Sequence, residues 1–314
     1  MHAKKTFLLI GNNYTTHLKS LLLQILAICF IVAIFGLFFF NFGNLIVKAI
    51  EKEGLVRKTQ ELISYLVNWN SADQTEFSQK ILSYIDSISQ SLSTIPNFNV
   101  KLATAIWSTI IAGYAVYFLV GLSVFPTFFS VNQFMTTNSK PFYLWSVIKK
   151  SVDSMRMMAL RALINLIMDW CCLFLTLGAY LITFVNLGMT GIIISLLIWA
   201  ALVSARSAML AYWLPVNINE TSKTRQAFKS GIIYMLDDFW NLFLKSFIVI
   251  TITSLVAFSI IFLFQPLVVL ILTMLLISLS SYVLNCIYFV NYYELKGKPY
   301  FVKKVTVTYS DDNA

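Results

Sequence analysis

Two ionisable residues, Asp169 and Arg206, lie well inside apolar runs of the chain. The stretch Asn186-Leu187-Gly188 separates the two runs and reads as a tight turn. Counted from Gly188, Asp169 lies 19 residues before the turn and Arg206 lies 18 after it. At about 1.5 Å per helical residue, both stand about 27–29 Å from the turn, so an antiparallel pair of helices brings them level. Opposite charges at one level lower each other's cost in lipid. Two kinds of chemistry fit such a pair. It can be an ion pair that fixes the packing of two helices, or Asp169 can take up and release protons as a coupling or relay group. The remaining chemistry-bearing residues are sparse. His2 and His17 are the only histidines, and HExxH, Walker A, G-x-S-x-G and paired CxxC motifs are absent. No catalytic, cofactor-binding or metal-ligating residue is therefore assigned, and the expectation is a protein that is not an enzyme. Cys29, Cys171, Cys172 and Cys286 all fall in apolar runs and read as small core residues. The neighbours Cys171 and Cys172 point to different faces of a helix, which does not suit chelation.

The elements that must position Asp169 and Arg206 are membrane spans. Of 314 residues, 58% are hydrophobic and 12% charged, against about 45–50% and about 25% in an average soluble domain. A soluble fold of this size cannot bury such an excess. The apolar residues come in runs near twenty long, the length that crosses a bilayer core. Six spans are expected, at 21–47, 102–125, 158–185, 191–214, 242–264 and 267–290. The first is too long for a signal-peptide core and has no small-x-small site after it, so it reads as retained. Gln265-Pro266 supplies the break between the last two. The fold class is thus all-α, an integral membrane bundle of about six transmembrane helices.

Formal net charge is +9, and its distribution gives a topology. Seventeen of the 23 Lys and Arg fall on the side that holds both ends of the chain, and six fall in the first loop. The positive-inside rule places the richer side in the cytoplasm, both termini with it. This accounts for the basic balance without nucleic acid, for which there is no motif. The first loop, 48–101, is then external. Leu62, Ile63, Leu66 and Trp69 recur at helical spacing, and Ser71-Ala72-Asp73-Gln74 reads as a capping box. Phe77, Ile81, Ile85, Ile88 and Leu92 follow as one apolar stripe that Pro96 ends. The pattern predicts an external amphipathic helical hairpin, with that stripe either packed on the bundle or lipid, or open as a docking face. Trp107, Trp145, Trp170, Trp213 and Trp240 fall toward span ends as an aromatic belt. Gly36, Gly43, Gly113 and Gly121 are expected at close helix contacts.

Each pair of spans is preceded by a mixed segment carrying Lys followed by Ser or Thr, at Lys5-Thr6, Lys150-Ser151 and Lys229-Ser230. In the second, Trp145, Ile148, Val152 and Met155 lie on one side of the wheel and Lys149, Lys150, Asp153 and Arg156 elsewhere, which suits a cytoplasmic interfacial helix. The unit is an interfacial helix followed by a transmembrane hairpin, used three times. The expected organisation is an interfacial helix over 1–20, a first hairpin over 21–134, and a second unit over 135–214. A third unit over 215–290 and a tail over 291–314 complete it. The segment Arg225-Gln226-Ala227-Phe228-Lys229-Ser230 with Phe239-Trp240-Asn241-Leu242-Phe243, and the exit Tyr292-Tyr293-Glu294-Leu295-Lys296, resemble a bacterial polytopic membrane family. That family includes the membrane domain of some glycerophosphodiester phosphodiesterases and stand-alone relatives. The resemblance covers roughly the second half of the chain and implies a fold. It carries over no catalytic residue, and the chain lacks a phosphodiesterase domain.

Two functions stand open. One is a transport-related, permease-like membrane subunit, with a cytoplasmic ATPase as partner docked near Asp237 and Asp238. The other is an immunity-type or scaffold protein that binds an external peptide or protein through the helical hairpin. The expected location in either case is a bacterial cytoplasmic membrane, and the lipid bilayer is the common partner.

Overall fold

Long uninterrupted apolar sequence with few helix breakers can only satisfy its backbone in lipid as helix, and helix is what forms. The computed structural model describes residues 2–52, 57, 58, 60, 61, 64, 74–139, 143–187, 189–221, 223–263 and 265–302. The elements are α1 (His2–Lys52), α2 (Gln74–Ser93), α3 (Phe98–Thr137), α4 (Tyr143–Leu187), α5 (Met189–Met209), α6 (Trp213–Asn219), α7 (Thr224–Leu263) and α8 (Pro266–Leu295). No strand occurs among the described residues. Six helical stretches are long and apolar enough to cross a membrane, and they overlap the six expected spans. The protein is a multi-pass, all-α membrane protein.

Three expectations change. The mixed segments at Lys5, Lys150 and Lys229 are not separate interfacial helices; each is the opening of α1, α4 or α7. Those three helices contain no proline, and breaking a continuous helix would strand backbone groups. α1, with 51 residues, is about 76 Å long and far exceeds a hydrocarbon core of about 30 Å. Asp237 and Asp238 are accordingly part of α7 and not of a loop. The fourth span, expected to be continuous, unwinds through the turn 210–212 and resumes as α6. Pro215 is the cause, since in an unbroken helix its ring would clash with the carbonyl of Ala211. Of the small residues, Gly121 does meet another helix, with Met158 Sδ 3.0 Å from a Cβ built on it, whereas among the described residues no other helix comes within 4 Å of a Cβ built on Gly36 or Gly43.

Contacts divide the chain into two compact units. One comprises Met1–Leu26, Tyr117–Asp169 and Trp199–Ala314; the other comprises Ala27–Val116 and Trp170–Ile198. The three-hairpin organisation runs across this division.

The first unit has a well-packed interior. In α1, Thr6, Leu9, Asn13, Thr16 and Ser20 are buried at helical spacing. In α7 the buried positions Ala227, Met235, Leu242, Ser246 and Ile250 face inward. The opposite stripe, Leu236, Trp240, Leu244, Ile248 and Ile252, is more than half exposed and wholly apolar, as a lipid-facing surface is. The last third of α8 is buried on every side, from Leu284 to Tyr293 apart from a half-buried Ile287. Phe289 of α8 stacks on Phe128 of α3 at 5.4 Å, and Trp213 meets Phe228 edge-on at 4.9 Å. Trp213 is thus a core residue and not part of an aromatic belt, whereas Trp107 and Trp240 are exposed. Gln265 and Pro266 open α8 as N-cap and first helical residue. Its end is a Schellman motif. Gly297 takes φ +60°, its N–H donates to Glu294 O, and the Lys298 N–H reaches Tyr293 O.

In the second unit, Thr183 and Ser195 join α4 to α5 by a hydroxyl pair at 2.9 Å, and Thr183 also donates to Gly191 O. Leu37 and Phe40 are among the large apolar residues it exposes.

Candidate functional site

In the first unit the Asp169 carboxylate and the Arg206 guanidinium stand 2.9 Å apart, with side chains 28% and 16% exposed. Asp169 lies on α4 and Arg206 in the last turn of α5. Both have further partners. The Tyr117 hydroxyl of α3 donates to the second Asp169 oxygen. Arg206 Nη2 donates to Asn165 Oδ1 at 3.1 Å, and the guanidinium lies 6.0 Å from the Tyr117 ring centre. Asn165 is one turn from Asp169 on α4, so the two share a face.

Arg161 is one turn further along the same α4 face. Its Nη1 is buried and has no hydrogen-bond partner, and the same is true of Arg206 Nε. The two guanidiniums are close enough to repel, and both interact with Tyr288 of α8. Tyr288 pairs with the Ser246 hydroxyl at 2.8 Å, and beside Ser246, Lys245 donates to Asn291 at 2.9 Å. Sequence reasoning reached Asp169 and Arg206 by level and missed Tyr117, Asn165, Arg161 and Tyr288. The α4 residues could have been found from the polar positions 161, 165 and 169, which repeat every four. Tyr117 and Tyr288 come from other helices, and nothing local in the sequence marks them.

A second polar cluster surrounds the α6 and α8 ends. Glu220 accepts from Tyr292 at 2.8 Å and from Tyr234 at 3.2 Å, and Lys296 Nζ lies 3.1 Å from it. The Lys296 ammonium also sits 3.6 Å from the Tyr234 ring centre. Burial pushes the Glu220 carboxyl up, but the donors Tyr292, Lys296 and Tyr234 and the Lys296 charge outweigh it and hold it below the usual range. Burial works against the Lys296 ammonium, yet Tyr234 and Glu220 raise it. Glu294 holds Lys5 at 2.9 Å and the Tyr300 hydroxyl at 2.7 Å. Burial and the Glu294 hydrogen bond push the Tyr300 hydroxyl up to about 12. The Tyr293 hydroxyl lies 2.9 Å from Asn132 and 3.0 Å from Asn219, and Asp238 binds Tyr212 and Asn241. The exit Tyr292-Tyr293-Glu294-Leu295-Lys296 is thus a clamp that ties α8 to α1, α3, α6 and α7. No nucleophile and base face each other in it.

On α2, Ile81, Ile88 and Leu92 are half-buried, but Ile85 is 53% exposed and Leu82 is 61% exposed. The expected single stripe is therefore turned. The sheltered face centres on Tyr84, Ser91 and Ile95, and Ile85 lies at its outer edge. Steps of four overshoot the 3.6-residue period, so Phe77, Ile81 and Ile85 drift around the helix. The side chain of Phe77 lies outside the described residues, as do Leu62, Ile63, Leu66, Trp69 and the Ser71-Ala72-Asp73 part of the capping box.

The four cysteines are free; Cys172 and Cys286 are buried, while Cys29 and Cys171 face outward, contrary to a core role. His17 stacks on Tyr282 at 4.3 Å. Among the described residues no three His, Cys, Asp or Glu converge as a metal site. Comparison finds no protein-family model, no curated protein and no solved structure that matches this chain.

Proposed function

We propose that the chain is a non-enzymatic, transport-related, permease-like membrane subunit that works with a partner, both termini in the cytoplasm of a bacterial cell. The observation that carries this reading is the Asp169 cluster. A carboxylate held by a phenol and a guanidinium, on largely apolar spans, is the type of group that membrane proteins keep for coupling and proton relay. Packing alone would be served at lower cost by apolar residues. The resemblance of the segments 225–230 and 292–296 to a bacterial polytopic family is in keeping with this reading and adds no site.

The test is proton movement into vesicles loaded with a pH-sensitive dye and reconstituted with the purified protein, alone and with a co-purifying ATPase. Flux above protein-free vesicles is expected, and its loss in Asp169→Asn when assayed well below the melting temperature of that variant. No flux under either a pH gradient or a membrane potential, with the partner present, overturns the reading.

A second reading rests on α2, where Leu82 and Ile85 present apolar surface outward. An immunity-type or scaffold protein would use that face for an external peptide or protein. Deleting residues 57–95 would then abolish binding and leave the spans folded.

A further inference from the structure

The Asp169 cluster carries more positive charge than it neutralises. Arg206 donates to Asn165, one turn from Arg161 on α4, so two cations meet on one helix face, and among the described residues Asp169 is the one carboxylate at ion-pair distance from either. Arg206 spends Nη1 on Asp169 and Nη2 on Asn165, which leaves its buried Nε without a partner. Arg161 has buried Nη1 without a partner, and among the described residues no carboxylate is bound to it. One turn beyond Tyr288 on α8, the Asn291 amide accepts from Lys245, and its own Nδ2 is also buried and unpartnered. The leftover guanidinium donors on α4 and α5 thus share one region of the first unit. Removing a guanidinium from water without an acceptor is costly, and arginine's planar fork matches tetrahedral and carboxylate oxyanions with two hydrogen bonds at a time.

We propose that Arg161 and Arg206 form a binding site for a phosphate-type oxyanion, with Tyr288 at its margin. Such an anion offers several acceptor oxygens to the leftover N–H groups and cancels the surplus cation. Its chemistry is shared by a phospholipid headgroup and by free phosphate. The inference deepens the transport reading by naming a class of cargo or bound lipid, and it rests on that reading only for the purpose of the site.

The experiment uses the delipidated full chain in neutral detergent with two probes, phosphatidylglycerol and inorganic phosphate, read by native mass spectrometry and by melting temperature. One bound anion and a raised melting temperature are expected. Arg161→Gln should weaken binding by about tenfold or more, and Arg161→Lys by less. Without anion, Arg161→Gln should melt no lower than the parent, because it removes an uncompensated charge; this separates loss of the site from loss of the fold. Retention of phosphatidylglycerol that phosphate cannot displace makes the source a lipid. Stabilisation by phosphate alone makes it a solute. The proposal is overturned if neither probe binds, or if Arg161→Gln binds both as the parent does. A protein that binds an anion and moves no protons overturns the transport reading and leaves this site standing; proton flux without anion binding does the reverse.

Discussion

A lone Asp or Arg costs about 2.5–3.5 kcal/mol at the centre of a span on translocon-type scales and less toward the span end where Asp169 and Arg206 stand, and the 2.9 Å contact between them lowers the cost of both. Breaking one side of a buried pair strands the other, which costs about 3–5 kcal/mol when burial is complete. Because these side chains keep some exposure, we expect about 2 kcal/mol for Asp169→Asn or Arg206→Gln alone, scaled down from that same range. The double change should cost less than the sum of the singles. Thermal unfolding of all four proteins in detergent measures this, and strictly additive losses would show that the contact contributes nothing. Glu220 supports a prediction of a different kind. Its folded carboxyl titrates below the ordinary 4.5, so its contribution is complete above that value and is lost as pH falls through the lower folded value. Lys296 is raised above 10.5, so its share is complete below 10.5 and fades as pH climbs past the folded value. The parent should therefore lose melting temperature at both extremes, and Glu220→Gln should flatten the acid limb. An acid limb of unchanged steepness in that variant would assign the acid sensitivity to other carboxylates.

At the scale of elements, the contact that decides the first unit is the approach of α7 to the turn before α6. A Cβ built on Gly231 would lie 3.2 Å from the Trp213 backbone N and Cα. Backbone cannot yield as a flexible side chain does, and overpacking of this kind costs about 1–3 kcal/mol. Replacing an interior helical glycine by alanine returns up to about 1 kcal/mol, so Gly231→Ala should be a net loss of about 1 kcal/mol. Gly178 of α4 has nothing within 4 Å, and Gly178→Ala should be neutral or stabilising by the same propensity. Denaturation of the two variants side by side checks the contrast; equal effects would mean that α7 does not pack this closely. The same close approach exists because Pro215 ends α5 early and lets Trp213 turn inward.

For the whole molecule, the prediction concerns sidedness. Seventeen basic residues against six favour cytoplasmic termini and an external loop between the first two spans. In a variant freed of its four native cysteines, single cysteines at Ser71 and Ser310 should react with a membrane-impermeant maleimide from opposite sides of right-side-out vesicles. Reaction of both from one side would require an even number of crossings between them and a different topology.

Much of this was legible in the chain itself. Apolar run length decided six helices, since lipid leaves the backbone no other way to satisfy itself. Counting from a turn decided that Asp169 and Arg206 stand level, because helical rise is constant. Gln265-Pro266 marked the start of the last helix for the reason that proline belongs at a first helical position. What the sequence left open was direction around each helix and the identity of neighbours from distant segments. The face of α2 was misjudged because hydrophobic spacing alone does not say which flank is sheltered. Gly36 and Gly43 looked like contacts, yet among the described residues no other helix comes within 4 Å of a Cβ built on either, while Gly231, never singled out, meets backbone. The partners that turn an ion pair into a site, Tyr117, Arg161 and Tyr288, belong to three helices separated by tens of residues. Only the folded chain brings them together, since their proximity is set by how helices pack and not by any interaction local enough to leave a pattern in the sequence.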